Sequence, residues 1–165
     1  MPDARTDEAR RVDELGIALA TSEVRLAEQP LLAGIKHLNR LEQVLARSLD
    51  PDAAELLMLD ASGRVVGASA ANVFVVVDGA LATPALERCG IAGVARAAIV
   101  ARLGATIRDI EVDELRRASE IFLSNAVRGV VPVASLADRR YGVGPAAAAA
   151  RAALAAEGFE PPRAA

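Results

Sequence analysis

Residues 30–47 read PLLAGIKHLNRLEQVLAR and include Lys36, the single lysine of the 165-residue chain. Leucine and valine recur at helical spacing from residue 38 to residue 48, so the pattern predicts a helix that ends before Asp50-Pro51. The preceding segment, residues 16–26, is partly alternating and predicts a strand that ends near Gln29-Pro30. Lys36 is therefore expected between a strand and a helix, just before the helix begins.

The lysine content of the chain is unusual. Of 19 basic residues one is lysine, which leaves 18 arginines. Arginine keeps the positive charge but cannot form an imine, whereas a lysine amine can lose its proton and attack a carbonyl. A position that needs this chemistry would keep its lysine in a genome that favours arginine codons. Chance survival of one lysine explains the same observation, and both explanations stay open at this point.

The rest of the sequence alternates between apolar strand-like runs and helical patterns. With an aromatic content of 2%, it predicts one α/β domain whose core consists of Ala, Val, Leu and Ile. We expect an extension or linker at residues 1–15, the domain at 16–157 and a tail at 158–165. The predicted elements after the first helix are a β-meander (55–59, 64–66 and 72–77), a helix (90–103), a strand (106–112), a short helix (113–118), strand segments broken at Arg128-Gly129 (121–133) and a last helix (145–156).

Composition also excludes several classes of function. The formal net charge is −3 with no basic patch, so nucleic acid is not expected as a partner. No uninterrupted apolar run reaches the length of about 20 residues that a membrane helix needs. A single cysteine, Cys89, excludes an intrachain disulfide, and the charged N-terminus has no export signal. These features predict a cytoplasmic protein.

Residues 30–47 resemble, nearly residue for residue, the cofactor-lysine region of the aminodeoxychorismate lyases, which belong to the class IV aminotransferases. Residues 63–74, 90–96 and 124–133 match further segments of that family in the same order, so the resemblance spans about residues 16–144. The Asn-Arg-Leu-Glu-Gln run at 39–43 is more similar to the lyases than to the branched-chain or D-amino acid aminotransferases. The resemblance implies the large C-terminal domain of the fold-type IV enzymes, a pseudo-barrel of mixed strands with surrounding helices.

The resemblance also implies a site. Lys36 would hold pyridoxal 5'-phosphate and shuttle the protons as 4-amino-4-deoxychorismate is converted to 4-aminobenzoate and pyruvate, in the 4-aminobenzoate branch of folate synthesis. The backbone N–H groups of Val94 and Ala95, at a helix start, would bind the cofactor phosphate. Asn125 and Ala126 would line its other side. Arg128 is a candidate for binding a substrate carboxylate, and equally a solvated turn residue. No metal is implied.

Two departures from the family bear on activity. The family has a glutamate that keeps the pyridine nitrogen of the cofactor protonated, and the aligned residue here is Gly67. The family's smaller N-terminal domain, which completes the active site, has no counterpart in this sequence. We therefore expect either a separate chain that supplies this domain or a truncated or impaired copy of the enzyme, and a homodimer is expected as in the family. Two other readings stay open, namely a class IV aminotransferase and a degenerate domain without catalytic activity.

Overall fold

The computed structural model describes Val12 and residues 15–159, and the strands in this part of the chain form one mixed sheet. The strands are β1 (Ile17–Leu26), β2 (Glu55–Asp60), β3 (Val65–Ala68), β4 (Asn72–Val77), β5 (Ala80–Pro84), β6 (Thr106–Arg108), β7 (Glu120–Asn125), β8 (Gly129–Leu136) and β9 (Arg139–Arg140). The helices are α1 (Leu41–Leu49), α2 (Val94–Leu103), α3 (Val112–Leu115) and α4 (Pro145–Ala156). The strand order is β3-β2-β1-β8-β7-β4-β5-β6, and β9 pairs with β8.

The sheet is parallel on both sides of β1, which pairs with β2 and β8, and again between β5 and β6. The other pairs are antiparallel. The sheet curls into a half-barrel, and one apolar cluster on its inner face joins side chains from β1 to β5 with side chains from β7 and β8. This architecture confirms the predicted fold class, the α/β large domain of the fold-type IV enzymes.

The central strands β2, β3, β4 and β7 are buried on both faces, because successive side chains point to opposite sides and both sides are covered. On β2, Leu57 and Leu59 pack inside the curled sheet, whereas Leu56 and Met58 pack with Ala46 of α1 on the outer face. The elements α2 and α4 cover another part of the outer face with small apolar side chains. The sheet thus lies between an inner core and an outer layer of helices.

Aromatic residues have a larger place in the core than the sequence predicted. Phe74 on β4 and Phe122 on β7 are paired in register, fully buried, and stacked with ring centroids 4.9 Å apart. They pack against α2 and α4, together with small residues of these helices. The expectation of a core made only of Ala, Val, Leu and Ile was wrong here, because small side chains on the helices leave space that the two rings fill to reach native packing density.

The predicted β-meander was also wrong in its third strand. β2 and β3 form an antiparallel hairpin, but a tight turn follows β3, in which the Ala68 N–H donates to the carbonyl oxygen of Ala71 at 2.7 Å. β4 then pairs with β5 and with β7, not with β3. Pairing between distant segments cannot be read from local alternation, which fixes the faces of a strand but not its neighbours.

Other element boundaries moved by a few residues. The strand predicted at 106–112 ends at Arg108, because Glu111 and Glu114 form a capping box that starts α3 at Val112. The helix expected from residue 90 begins at Val94, since residues 90–92 pair with Gly34 as extended backbone. The last helix, residues 145–156, is confirmed. β5 was not predicted.

The predicted linker at 1–15 and tail at 158–165 fall almost entirely outside the described residues. Within the described part of the chain, none of the helices has the length and apolar character needed to cross a membrane.

Candidate active site

Lys36 lies on a loop, residues 27–40, that connects β1 to α1. Backbone hydrogen bonds hold this loop against the segment before α2. The Gly34 N–H donates to the carbonyl oxygen of Gly90 at 2.9 Å, and the Ala92 N–H donates to the carbonyl oxygen of Gly34 at 3.1 Å. Gly34 has a φ of 79°, a left-handed conformation that glycine adopts without a steric penalty. The loop thereby holds Lys36 beside the start of α2, and the side chain of Lys36 is exposed.

Lys36 lines a cavity of about 660 Å³, a volume suited to a cofactor with a small substrate. Among the predicted site residues, Val94, Asn125, Ala126 and Arg128 line the same cavity. The side chain of Ala95 does not line it, because it is buried among the residues that pack α2 against the sheet. Ala95 therefore has only its backbone N–H to offer.

The start of α2 provides hydrogen-bond donors at this cavity. Its N-cap, Gly93, has no side chain to accept a bond from the first turn, and the first turn contains no acidic residue. The free N–H groups of a helix start, together with the positive end of the helix dipole, favour an anion. The phosphate of pyridoxal phosphate fits this donor set.

Asn72 fixes the backbone of the segment that leads into α2. Its Nδ2 donates to the carbonyl oxygen of Ile91 at 2.7 Å, and its Oδ1 accepts from the Gly93 N–H at 3.2 Å. A Cβ added to Gly93 would lie 2.5 Å from that oxygen, so no larger residue fits here without moving Asn72. Below the helix start, buried Arg96 donates to Thr83 Oγ1 and to the carbonyl oxygen of Pro84, and burial lowers its pKa. The donors of α2 are therefore held rigidly.

The turn between β7 and β8 forms the facing wall. Asn125 Oδ1 accepts from the N–H groups of Val127 and Arg128 at 2.9 and 2.7 Å, which orders the turn, and its Nδ2 donates to the carbonyl oxygen of Ala70 at 3.1 Å. The side-chain amide of Asn125 thus forms hydrogen bonds with backbone groups of the turn and of Ala70. Arg128 is exposed at the rim.

Sequence reasoning missed Ser124. Its side chain is 1% exposed and lines the cavity, and its buried Oγ has no hydrogen-bond partner among the described residues. A buried hydroxyl without a partner is costly, and a ligand oxygen would satisfy it. Its position directly before Asn125-Ala126, at the end of a strand, was the only signal in the sequence.

The cavity wall also contains Gly67, at the position where the resemblance implies a carboxylate. Gly67 is buried on β3 opposite Met58, and none of the residues that line the cavity is acidic. The lysine and phosphate ends of the site therefore fit pyridoxal phosphate, whereas its ring nitrogen has no carboxylate partner from these residues.

Two other reactive side chains lie away from this cavity. His37 and Cys89 line a smaller pocket of about 100 Å³ behind the lysine loop. Burial raises the pKa of the Cys89 thiol to about 11, so the thiol is neutral near pH 7 and a poor nucleophile. Neither residue faces Lys36 across the cavity.

Comparison with known proteins shows what this chain is similar to. Over 130 residues the chain is 37% identical to aminodeoxychorismate lyase of Vibrio harveyi, covering 74% of this chain and 48% of the relative. The crystal structure of 4-amino-4-deoxychorismate lyase from Pseudomonas aeruginosa superposes with a TM-score of 0.83 at 44% identity, covering 90% of this chain and 57% of that one.

A branched-chain amino acid aminotransferase from T.th., solved with N-(5'-phosphopyridoxyl)-L-glutamate, superposes with a TM-score of 0.75 at 26% identity, covering 91% of this chain and 54% of that one. The chain thus spans about half the length of the relatives it matches. The family model for amino-transferase class IV matches residues 2–136. The chain belongs to the class IV aminotransferase family.

Proposed function

We propose that this chain is the cofactor-binding part of an aminodeoxychorismate lyase, which converts 4-amino-4-deoxychorismate to 4-aminobenzoate and pyruvate. One observation carries the proposal: Lys36 shares a cavity with the uncapped start of α2 and with Ser124, a buried hydroxyl that lacks a partner among the described residues. An amine opposite an anion site is the arrangement that a phosphorylated aldehyde requires. The relatives with the highest identities reported above are lyases, which favours this reaction.

In this proposal the residues have separate tasks. The N–H groups of Val94 and Ala95 and the Ser124 hydroxyl bind the phosphate of pyridoxal phosphate. Lys36 Nζ would hold the aldehyde end of the cofactor. Once the substrate amine has taken its place, the free Nζ would accept the proton beside the amine-bearing carbon and give a proton to the departing enolpyruvyl group, which leaves as pyruvate. The cofactor supplies an electron sink conjugated with the substrate amine. Asn72 keeps the helix start in place.

Trapping with borohydride tests the cofactor assignment directly. Because Lys36 is the single lysine, reduction in the presence of pyridoxal phosphate should label the peptide that contains it, which peptide mapping separates from labelling at the N-terminus. Lys36→Arg is the matched control, since arginine keeps the charge but forms no imine. A label confined to the N-terminal amine would refute the assignment.

Gly67 offers a second test of the lyase proposal, because a carboxylate near the ring nitrogen would strengthen the electron sink. Gly67→Glu should tighten cofactor retention, whereas Gly67→Gln, of equal size and without charge, should not. A Cβ at this position would lie 3.1 Å from the carbonyl oxygen of Ala71, so the turn has to shift by a few tenths of an ångström in both variants. Equal retention in both would show that Gly67 does not face the ring nitrogen.

A class IV aminotransferase is the second candidate, supported by the similarity to the branched-chain enzymes. Formation of 4-aminobenzoate identifies the lyase, and formation of a keto acid from an amino acid donor identifies the aminotransferase. A domain that binds cofactor without turnover would give the Lys36 label and neither product.

We also propose that the active form contains a partner chain, either a second copy or a separate N-terminal domain. Support comes from α1 and the residues before it, whose large apolar side chains face solvent instead of the protein. This α1 stripe consists of Leu38, Leu41, Val44, Leu45 and Leu49, and Leu38 is 100% exposed. Two charged side chains of α1 contact the protein instead: Glu42 accepts from the Ala27 N–H, and Arg47 pairs with Glu55. Such an exposed apolar stripe is typical of an interface.

A further inference from the structure

The charge of the main cavity indicates which ligands it accepts. Three of the residues that line it are charged, and all three are cations: Lys36, Arg40 and Arg128. A concave wall with one sign of charge concentrates ligands of the opposite sign. The proposed function assigns Lys36 to the cofactor, and Arg128 was already a candidate from the sequence. No role has been assigned to Arg40.

Arg40 is a half-buried cation that forms no ion pair with the described residues. Its Nη2 donates to the carbonyl oxygen of Ser69 at 3.1 Å, and no carboxylate of the described residues lies within 4.0 Å of its guanidinium. The nearest acid in sequence, Glu42, bonds instead to the Ala27 N–H at 2.8 Å. Burial lowers the pKa of Arg40, an effect that Glu42 partly opposes.

Other arginines near the site are neutralised. Arg47, on the same helix, pairs with Glu55 at 3.5 Å and also donates to the carbonyl oxygen of Ala53. Arg64 contacts Glu28, Asp60 and Asp109. A partly buried charge without an ion-pair partner is unfavourable, so an anion that enters the cavity gains from pairing with Arg40. One guanidinium nitrogen is occupied by Ser69, and the other N–H donors remain for a carboxylate.

We propose that Arg40 binds a carboxylate of the substrate. This inference rests on the proposed function, in which the substrate carries two carboxylates and its aromatic product carries one. The anion site at the start of α2 serves the cofactor phosphate, so Arg40 acts on a different group. Arg40 and Gln43 also line the small pocket behind the lysine loop. Ser124, Asn125 and Arg128, which belong to the turn on the facing wall of the main cavity, do not line that small pocket.

Binding measured by calorimetry tests the proposal without turnover. The probes are 4-aminobenzoate and its neutral analogue 4-aminobenzamide, titrated into the full chain saturated with pyridoxal phosphate. The wild-type chain should prefer the carboxylate by about ten- to a hundredfold, the range expected for a hydrogen bond to a charged group. Arg40→Met should abolish this preference.

Two variants control for structural effects. Arg40→Gln keeps a donor for the carbonyl oxygen of Ser69 but removes the charge, so it should also lose the preference if Arg40→Met fails to fold. Arg25→Met, an exposed arginine of β1 outside the cavity, should keep the preference. An unchanged preference in Arg40→Gln, no preference in the wild type, or a loss confined to Arg128→Met would overturn the proposal.

A titration with inorganic phosphate separates Arg40 from the cofactor site. Arg40→Gln should leave phosphate affinity unchanged, and an equal loss for phosphate and 4-aminobenzoate would overturn the assignment. The proposed function is tested separately by the borohydride label on Lys36. A chain with the carboxylate preference but without that label would retain the Arg40 site and lose the proposed chemistry.

Discussion

Replacing Gly93 with alanine should disturb the start of α2 through one contact. The backbone of Gly93, with φ −69° and ψ 148°, is allowed for any residue, so alanine meets no backbone strain. The obstacle is steric, because the new Cβ would lie 2.5 Å from Asn72 Oδ1. Asn72 must then move away from both the Gly93 N–H and the carbonyl oxygen of Ile91.

The magnitude follows from those two hydrogen bonds. Each contributes about 0.5–1.5 kcal/mol, so their loss should lower the free energy of unfolding by about 1–3 kcal/mol. A Gly→Ala change in a compatible conformation offsets about 0.4–1 kcal/mol of this by restricting the unfolded chain. Retention of pyridoxal phosphate should fall as well, because the donors of the first turn move with Gly93.

A double-mutant cycle isolates this contact. Gly93→Ala should destabilise the wild-type chain, but in an Asn72→Ala background it should be neutral or stabilising, a coupling of about 1–3 kcal/mol measured by chemical denaturation. Gly142→Ala is the matched control, since its Cβ meets no atom within 4 Å. An equal effect of Gly93→Ala in both backgrounds would refute the reasoning.

Three further predictions test other parts of the structure. Glu120 is 3% exposed and accepts from the N–H groups of Ala146 and Ala147 at the start of α4. Glu120→Gln should therefore lower the free energy of unfolding by about 1.5–3 kcal/mol. An unchanged denaturation curve would contradict this cap. Burial raises the pKa of the Cys89 thiol to about 11, so Cys89 should resist iodoacetamide at pH 8 and react only as the pH rises toward that value. Rapid alkylation at pH 8, detected by mass spectrometry, would contradict its burial. The double substitution Leu41→Gln and Leu45→Gln should reduce binding of a hydrophobic dye and leave the midpoint of thermal unfolding unchanged. A lower midpoint would show that these side chains pack in a core.

Local pattern predicted much of the secondary structure. The strand at 17–26, the helix after Lys36, the break between β7 and β8 and the helix at 145–156 were all expected from apolar periodicity and turn residues. The failures were failures of pairing. β5 and the partners of β4 depend on segments far away in sequence, for which periodicity carries no information.

The residues of the candidate site also fall into two groups, those that could be found in the sequence and those that could not. Lys36 could be found in the sequence because imine formation is a property of the lysine amine, whereas Gly67 and the glycine before α2 were found through the resemblance to the family. Ser124 and Arg40 could not, since a serine on a strand and an arginine before a helix are ordinary until their surroundings are known. Ser124 is distinguished by a buried hydroxyl without a partner among the described residues, and Arg40 by a half-buried guanidinium that bonds to a carbonyl oxygen but to no carboxylate of these residues. Both are properties of the folded chain.

The sequence by itself determined the class of fold, the lysine and the absence of a carboxylate at residue 67. Only the tertiary structure decided that the loop of Lys36, the start of α2 and the turn after β7 enclose one cavity whose charged side chains are all cations. The physical reason is that local patterns reflect the backbone and side-chain preferences of short segments. Whether separate segments converge, and which of their charges stay unpaired, depends on how the sheet curls and brings them together.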